Sequence, residues 1–185
     1  MPITKLDRVA ALIVVDLQNG ITAMPTADPA EEIVARAARL AEAFRARGLP
    51  VVLVNVTARA PGRTEAPAGQ LPSDPKWFEL VPELAVQPGD LRVTKQCWGA
   101  FLGSSLDEML RGLGATQVVL CGISTSVGVE STARSAYDLG YNVALVTDAM
   151  TDRDPEAHAN SVARIFPRLG ETASTDDVLR LLELR

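Results

Sequence analysis

The chain has 185 residues, 47% of them apolar and 22% charged, with a formal net charge of −5. That length and composition suit a single globular domain over residues 1–185 with a core of its own. The acidic balance and the lack of any basic run argue against nucleic acid or a membrane surface as partner, and no apolar stretch approaches the roughly 20 residues of a membrane span.

The first element is the unbroken apolar run Ala10–Val15, the pattern of a parallel strand covered on both faces. The run is short and ends in Asp16, so no signal peptide is expected and a cytoplasmic location is the default. Gln18-Asn19-Gly20 is a turn signal. Asp28 and Pro29 read as a helix cap and a first-turn proline. The helix is predicted over Pro29–Arg47, with Ile33, Val34, Ala37, Leu40, Ala41 and Phe44 on one face and Gly48 as its stop.

Pro50–Val56 reads as a second buried strand. Thr57–Pro88 is a long stretch rich in proline and glycine, the length at which loops inside compact domains are usually functional. A third strand is predicted over Asp90–Thr94, ending at Lys95. A helix over Ser104–Leu113 follows, capped by Ser104 or Ser105. Gln117–Cys121 is a fourth strand, which enters Gly122-Ile123-Ser124-Thr125-Ser126-Val127-Gly128. A helix over Val129–Leu139 stops at Gly140, and Asn142–Thr147 is a fifth strand ending at Asp148. A helix over Pro155–Phe166, a short strand near Thr172–Ser174 and a helix from Asp176 complete the chain. Strands alternate with helices at spacings suited to right-handed crossovers, so the fold class is α/β. No glycine-rich dinucleotide or phosphate-loop motif follows the first strand.

In open α/β sheets ligands bind beyond the carboxyl ends of the strands. Three such ends carry suggestive groups: Asp16, Lys95 and the Gly122–Gly128 turn. Taken alone, Asp16 reads as a general base or as a structural acceptor for loop amides, and Lys95 as a solvated edge lysine. As a pair they are more telling, because an ammonium favours the ionised carboxylate and stabilises developing negative charge. Amides at the start of the following helix form a potential anion site, and Ser124, Ser126 and Gly128 leave room for a ligand. The plain alternative for that turn is an ordinary capped connection.

Four blocks, in this order and spacing, resemble the isochorismatase-like hydrolases, a family that includes nicotinamidases. They are Val14–Gly20, Pro88–Phe101, Gly122–Ala133 and Thr147–Ala149. Within that family, Trp98–Phe101 and Gly128–Arg134 look similar to the YecD-like subgroup. The resemblance implies a Rossmann-like three-layer α/β/α fold with a mainly parallel central sheet of about six strands. It implies a small-molecule substrate, no cofactor, and a homo-oligomer, dimer or tetramer. The family's catalytic aspartate carries over to Asp16 and its lysine to Lys95. Its cysteine position carries over to Gly128, so the usual thiolate has no counterpart. Isochorismatases also carry glycine there and cleave a vinyl ether with water, their aspartate acting as an acid. The implied activity is hydrolysis of a small metabolite, a vinyl ether or an activated amide, with Asp16 as acid/base and Lys95 as its electrostatic partner. The alternative is a small-molecule-binding protein of the same fold with no turnover.

The resemblance also implies a cis peptide at Ile123–Ser124, which would turn the Ser124 amide toward the site beside that of Gly128. Ser124, Thr125, Gln18 and Trp98 are the candidate substrate-binding residues. Nicotinamidases bind a metal through histidines after their second strand; here Asn55–Arg59 contains none, and no metal is expected. With two cysteines, no CxxC and the single histidine His158, neither a disulfide framework nor a His/Cys metal site is expected, although composition leaves open a magnesium site built of carboxylates. Cys97 reads as a small packing residue near the site, Cys121 as buried and inert, and His158 as structural. Trp77 and Phe78 read as a lid or a subunit contact, Arg59 and Arg63 as solvated arginines able to meet a carboxylate, and Glu130 with Arg134 as a helical pair.

Overall fold

The six residues of β1 (Ala10–Val15) are all fully buried, because the sheet they centre is covered on both faces. Their alternate side chains go to opposite cores. Ala10, Leu12 and Val14 join a cluster with Ile33, Leu40, Phe44, Val178 and Leu182. Ala11, Ile13 and Val15 join a second with Leu106, Leu110, Ala133, Ala136 and Phe166. Each large side chain so buried contributes roughly 1.5–3 kcal/mol.

The computed structural model describes residues 2–65 and 72–184. In chain order its elements are β1, the single turn α1 (Asn19–Thr22), α2 (Ala30–Ala46), β2 (Val51–Val56), β3 (Leu91–Lys95), α3 (Leu106–Gly112), β4 (Gln117–Ile123), α4 (Glu130–Asp138), β5 (Asn142–Thr151), α5 (Pro155–Asn160), α6 (Phe166–Leu169), β6 (Glu171–Ala173) and α7 (Thr175–Glu183). The strands form one six-stranded sheet in the order β3-β2-β1-β4-β5-β6, and every pairing is parallel. The architecture is the expected three-layer α/β/α fold. The chain leaves β1 toward β2 and β3, then crosses to the other side at β4. The strand order therefore reverses between β1 and β4, where open α/β sheets form their ligand crevice.

Several boundaries differ from expectation. Asp28 does not cap α2: that helix has no side-chain cap, and the Asp28 carboxylate accepts instead from the Thr151 hydroxyl at 3.3 Å. Ser104, rather than Ser105, holds the start of α3 by accepting from the Leu106 amide. β5 continues past Asp148 to Thr151. The helix expected over Pro155–Phe166 runs on to Leu169 through a π-turn at Ser161–Ile165.

The long stretch after β2 is not structureless throughout. Its second half forms two 3-10 turns, Pro75–Phe78 and Pro82–Leu84, and lies against the exit of β1. There Asn19 N–H donates to Glu79 O and Val81 N–H to Leu17 O. A Cβ on Gly20 would fall 2.0 Å from the Trp77 ring, so only glycine lets that ring seat. Trp77 is thereby packed on the core edge rather than free to close as a lid. Residues 66–71 of the stretch lie outside the described residues.

Candidate functional site

Asp16 ends β1 with φ +53°, in the left-handed region that aspartate tolerates better than most residues. Its amide is tied to Val54 O and its carbonyl to the Gln18 amide, so the turn is fixed from both sides. The side chain points into the protein and is only 4% exposed as a residue. Lys95, at the end of β3, reaches over the end of β2 to place Nζ 2.8 Å from Asp16 Oδ2. The same ammonium donates to Cys97 O at 3.1 Å and Trp98 O at 2.8 Å. Its three protons thus each have an acceptor, and the lysine is locked in place while buried.

The carboxylate is less well provided. Asp16 Oδ1 is buried and has no hydrogen-bond partner among the described residues. Burial pushes the Asp16 carboxyl up from its ordinary 3.8 to about 6, with Lys95 opposing the rise. Removal from water disfavours the charged form more than one monodentate ammonium favours it. Because Oδ2 faces the ammonium, a proton on this carboxyl belongs on Oδ1, the oxygen without a partner.

The third part of the site comes from β4. At Val15–Gly122 the two strands approach so closely that a Cβ on Gly122, at φ +125°, would lie 2.1 Å from Val15 O; only glycine permits that contact. The pairing register of β4 with β5 shifts just before it. The Ile123–Ser124 peptide is cis, as expected, and Thr125–Val129 forms a π-turn leading into α4. Ser124 O accepts the amides of Val127 and Val129, which flank that of Gly128. Gly128 faces the carboxylate: a Cβ there would sit 3.3 Å from Asp16 Oδ2 and 3.0 Å from Val15 Cγ1. A side chain at this position would thus lie directly on the Asp16 carboxyl.

Asp16, Lys95 and Gly128 are therefore brought together from three separate strand ends. The other candidates are placed less uniformly. Ser124 is half-buried at the turn. Trp98 is 64% exposed beside the lysine, and its contribution to the locked ammonium is its carbonyl. Gln18 is wholly buried with its carboxamide committed to the backbone: Nε2 donates to Val56 O and Phe78 O, and Oε1 accepts from Val56 N–H. It clamps the ends of β1 and β2 to the following loop. Thr125 is also wholly buried and bonds to His158. Cys97 is half-buried with its thiol toward Gly99 O and Leu102 O. Cys121 is fully buried and its thiol is pushed up to about 12 by that burial. Glu130 and Arg134 pair at 2.8 Å.

Two residues of the site escaped the sequence reading. Thr132 donates to Gly128 O at 2.7 Å and accepts from Ala100 N–H at 3.1 Å, joining the segment after Lys95 to the Gly128 turn. Asp152 accepts from both the amide and the hydroxyl of Ser126. Their only sequence signal is one helical turn from Gly128 to Thr132, and none exists for Asp152. Among the described residues no cluster of three or more His, Cys, Asp or Glu side chains is placed to hold a metal ion, and no helix is long and apolar enough to cross a membrane.

Residues 10–177 match the isochorismatase domain. The chain is similar to the isochorismatase family protein YwoC of Bacillus subtilis, at 42% identity over 91% of this chain and 92% of that one. It is similar to YecD of Escherichia coli O157:H7 at 40% identity, covering 95% and 97%. The ureidoacrylate amidohydrolase RutB of Pseudomonas syringae is 32% identical, covering 90% and 81%. Among solved structures, an isochorismatase family protein from Burkholderia thailandensis superposes with a TM-score of 0.94 at 43% identity, covering 97% and 98%.

Proposed function

Since the chain belongs to the isochorismatase family, we propose that it is a hydrolase of a small metabolite that works without a covalent enzyme intermediate, with Asp16 as the acid/base. The observation that carries this reading is Asp16 Oδ1, buried and without a partner among the described residues, on a carboxyl that burial pushes up to about 6. A group with such a pKa can both give and take a proton at working pH. An orphaned oxygen in a buried site is costly until a ligand meets it.

For a vinyl ether, Oδ1 delivers its proton to the terminal alkene carbon. Water then adds to the carbon left electron-poor, and the adduct breaks to a ketone and an alcohol. For an activated amide, the ionised Oδ1 takes a proton from the attacking water, and the same proton goes on to the leaving nitrogen. In both cases Lys95, held by Asp16 Oδ2 and two carbonyls, balances the changing charge. Gly128 offers no nucleophile, so water must attack the substrate directly. Ser124 and the Gly128 amide are proposed to face the developing anion, and Trp98 to wall the ligand. The amidohydrolase named among the relatives supports the amide arm; Gly128 in place of a cysteine supports the vinyl-ether arm.

The test is a coupled assay for pyruvate release from isochorismate, run beside a panel of activated amides, with Asp16→Ala as control. Turnover of either class that is lost in the variant supports the reading and selects the arm. Turnover that survives in Asp16→Ala refutes it. Gly128 also favours a second reading, a binding protein without chemistry. Ligand binding by calorimetry with no turnover across the panel would establish that reading instead.

A further inference from the structure

His158, the chain's only histidine, is outside the mechanism above, yet its ring Nδ1 shares a 2.9 Å hydrogen bond with the wholly buried Thr125 hydroxyl. Three residues on, along the same helix, Ser161 is 1% exposed and donates to Glu130 Oε2 at 2.6 Å. Thr125 and Glu130 stand five positions apart, at the two ends of the π-turn that carries Gly128. One face of one helix thus holds both ends of the turn. Ser161 itself opens a second π-turn, so these two wide turns are held against each other.

We propose that His158 and Ser161 are positioning residues for the Gly128 turn, gripping Thr125 and Glu130 so that the turn stays wide and its backbone stays against the Asp16 carboxyl. A π-turn is a rare, local widening of a helix and occurs most often at functional sites. Its i→i+5 bond, here Val129 N–H to Ser124 O, competes with the ordinary i→i+4 pattern. Slipping to that pattern would rotate Gly128 away from Asp16. What opposes the slip is side-chain bonding from outside the turn. The Thr125 hydroxyl has no access to water, so losing its partner leaves a buried polar group unsatisfied. The Glu130 carboxylate is bonded by Ser161 on one oxygen and Arg134 on the other, which holds the far end. Asp152, through Ser126, secures the turn's middle.

The inference rests on reading Asp16 and Gly128 as the reacting centre, but the grip can be tested without turnover. Amide hydrogen exchange is followed by NMR in the parent, His158→Leu, His158→Asn and Ser161→Ala. In His158→Leu the amides of Val129 and Glu130 are expected to exchange about tenfold faster, the effect of one lost buried hydrogen bond, while those of β1 and α7 hold. His158→Asn, whose side-chain oxygen can stand near Nδ1, restores most of the protection. Ser161→Ala, which retains the helix, loosens the Glu130 end. Unchanged exchange in His158→Leu and Ser161→Ala, or acceleration spread over the whole sheet without rescue by Asn, overturns the grip. On any hydrolysed substrate, His158→Leu lowers kcat with little change in KM. A loosened turn with full kcat would leave the grip standing and remove Gly128 from the reacting centre.

Discussion

Two carboxylate–cation pairs in this molecule, one half-buried and one buried, are built to opposite ends. Asp90, in the turn before β3, receives Arg45 from α2 on both oxygens, at 2.9 and 2.7 Å, and the Gln87 amide as well. Every face of that carboxylate is answered, and the pair fastens a turn to a helix. Asp16 receives one ammonium on one oxygen and leaves the other buried and unanswered among the described residues. Bidentate arginine gives geometry and satisfaction; lysine is a point charge that leaves the carboxyl free to change its proton. Burial and pairing are common to both carboxylates; what sets Asp16 apart is an oxygen with no hydrogen-bond partner among the described residues.

The sharpest way to test that contrast is the rate. Asp16→Asn keeps the shape and removes the proton chemistry, and turnover is expected to fall by about 10²–10⁴. Arg45→Met at the other pair is expected to leave kcat of the folded protein unchanged. An equal loss from both variants would erase the distinction. Stability gives the next effect. Removing one partner of a buried pair costs about 3–5 kcal/mol, so Lys95→Met should lower the denaturant midpoint by that order and Arg45→Met, at a half-buried cation, by less. They should differ with pH. The folded Asp16 carboxyl titrates near 6 against 3.8 unfolded, so the folded chain keeps its proton longer. Stability from this group is therefore greatest at low pH and falls as pH rises from about 4 to 6. Lys95→Met removes the effect that lowers this pKa, so its cost is expected to be greatest at pH 8 and to shrink toward pH 4, as followed by urea unfolding.

Smaller effects sharpen the geometry. Gly128→Ala places a Cβ 3.0 Å from Val15 Cγ1 and 3.3 Å from Asp16 Oδ2. It is expected to cost about 1–3 kcal/mol by overpacking and to lower kcat. Trp98→Ala, at a side chain mostly in water, should change stability by less than about 0.5 kcal/mol while raising KM. A large loss of stability there would mean that Trp98 is a packing residue and not a pocket wall.

Much of this was readable from residue order. β1, β2, β4 and β5 announce themselves as unbroken apolar runs, because a strand covered on both faces has no reason to alternate. Asp16 and the Gly122–Gly128 turn stand out because each follows such a run, and Lys95 because it follows a third predicted strand. Gln18 shows the limit. It lies two residues from Asp16 and looks like a ligand group, yet its carboxamide is used up by backbone at Val56 and Phe78. Trp77 looks like a lid and is seated on Gly20. Asp152 and the His158–Thr125 bond carry no periodic or motif signal at all, and Thr132 only its helical offset from Gly128.

The sequence by itself determined where most strands and helices lie, that the chain is an α/β protein of this family, and that glycine stands at position 128 where the family's cysteine would. Those properties are local: apolar runs, caps, stops and residue identity at fixed offsets. Only the tertiary structure decided that β3 lies two strands from β1, so that Lys95 must reach across β2, and that one Asp16 oxygen has no partner among the described residues. Strand order and hydrogen-bond satisfaction depend on groups far apart in the chain, Asp16 with Lys95 and Thr125 with His158, and such pairings are fixed only when the whole sheet and its covering helices pack together.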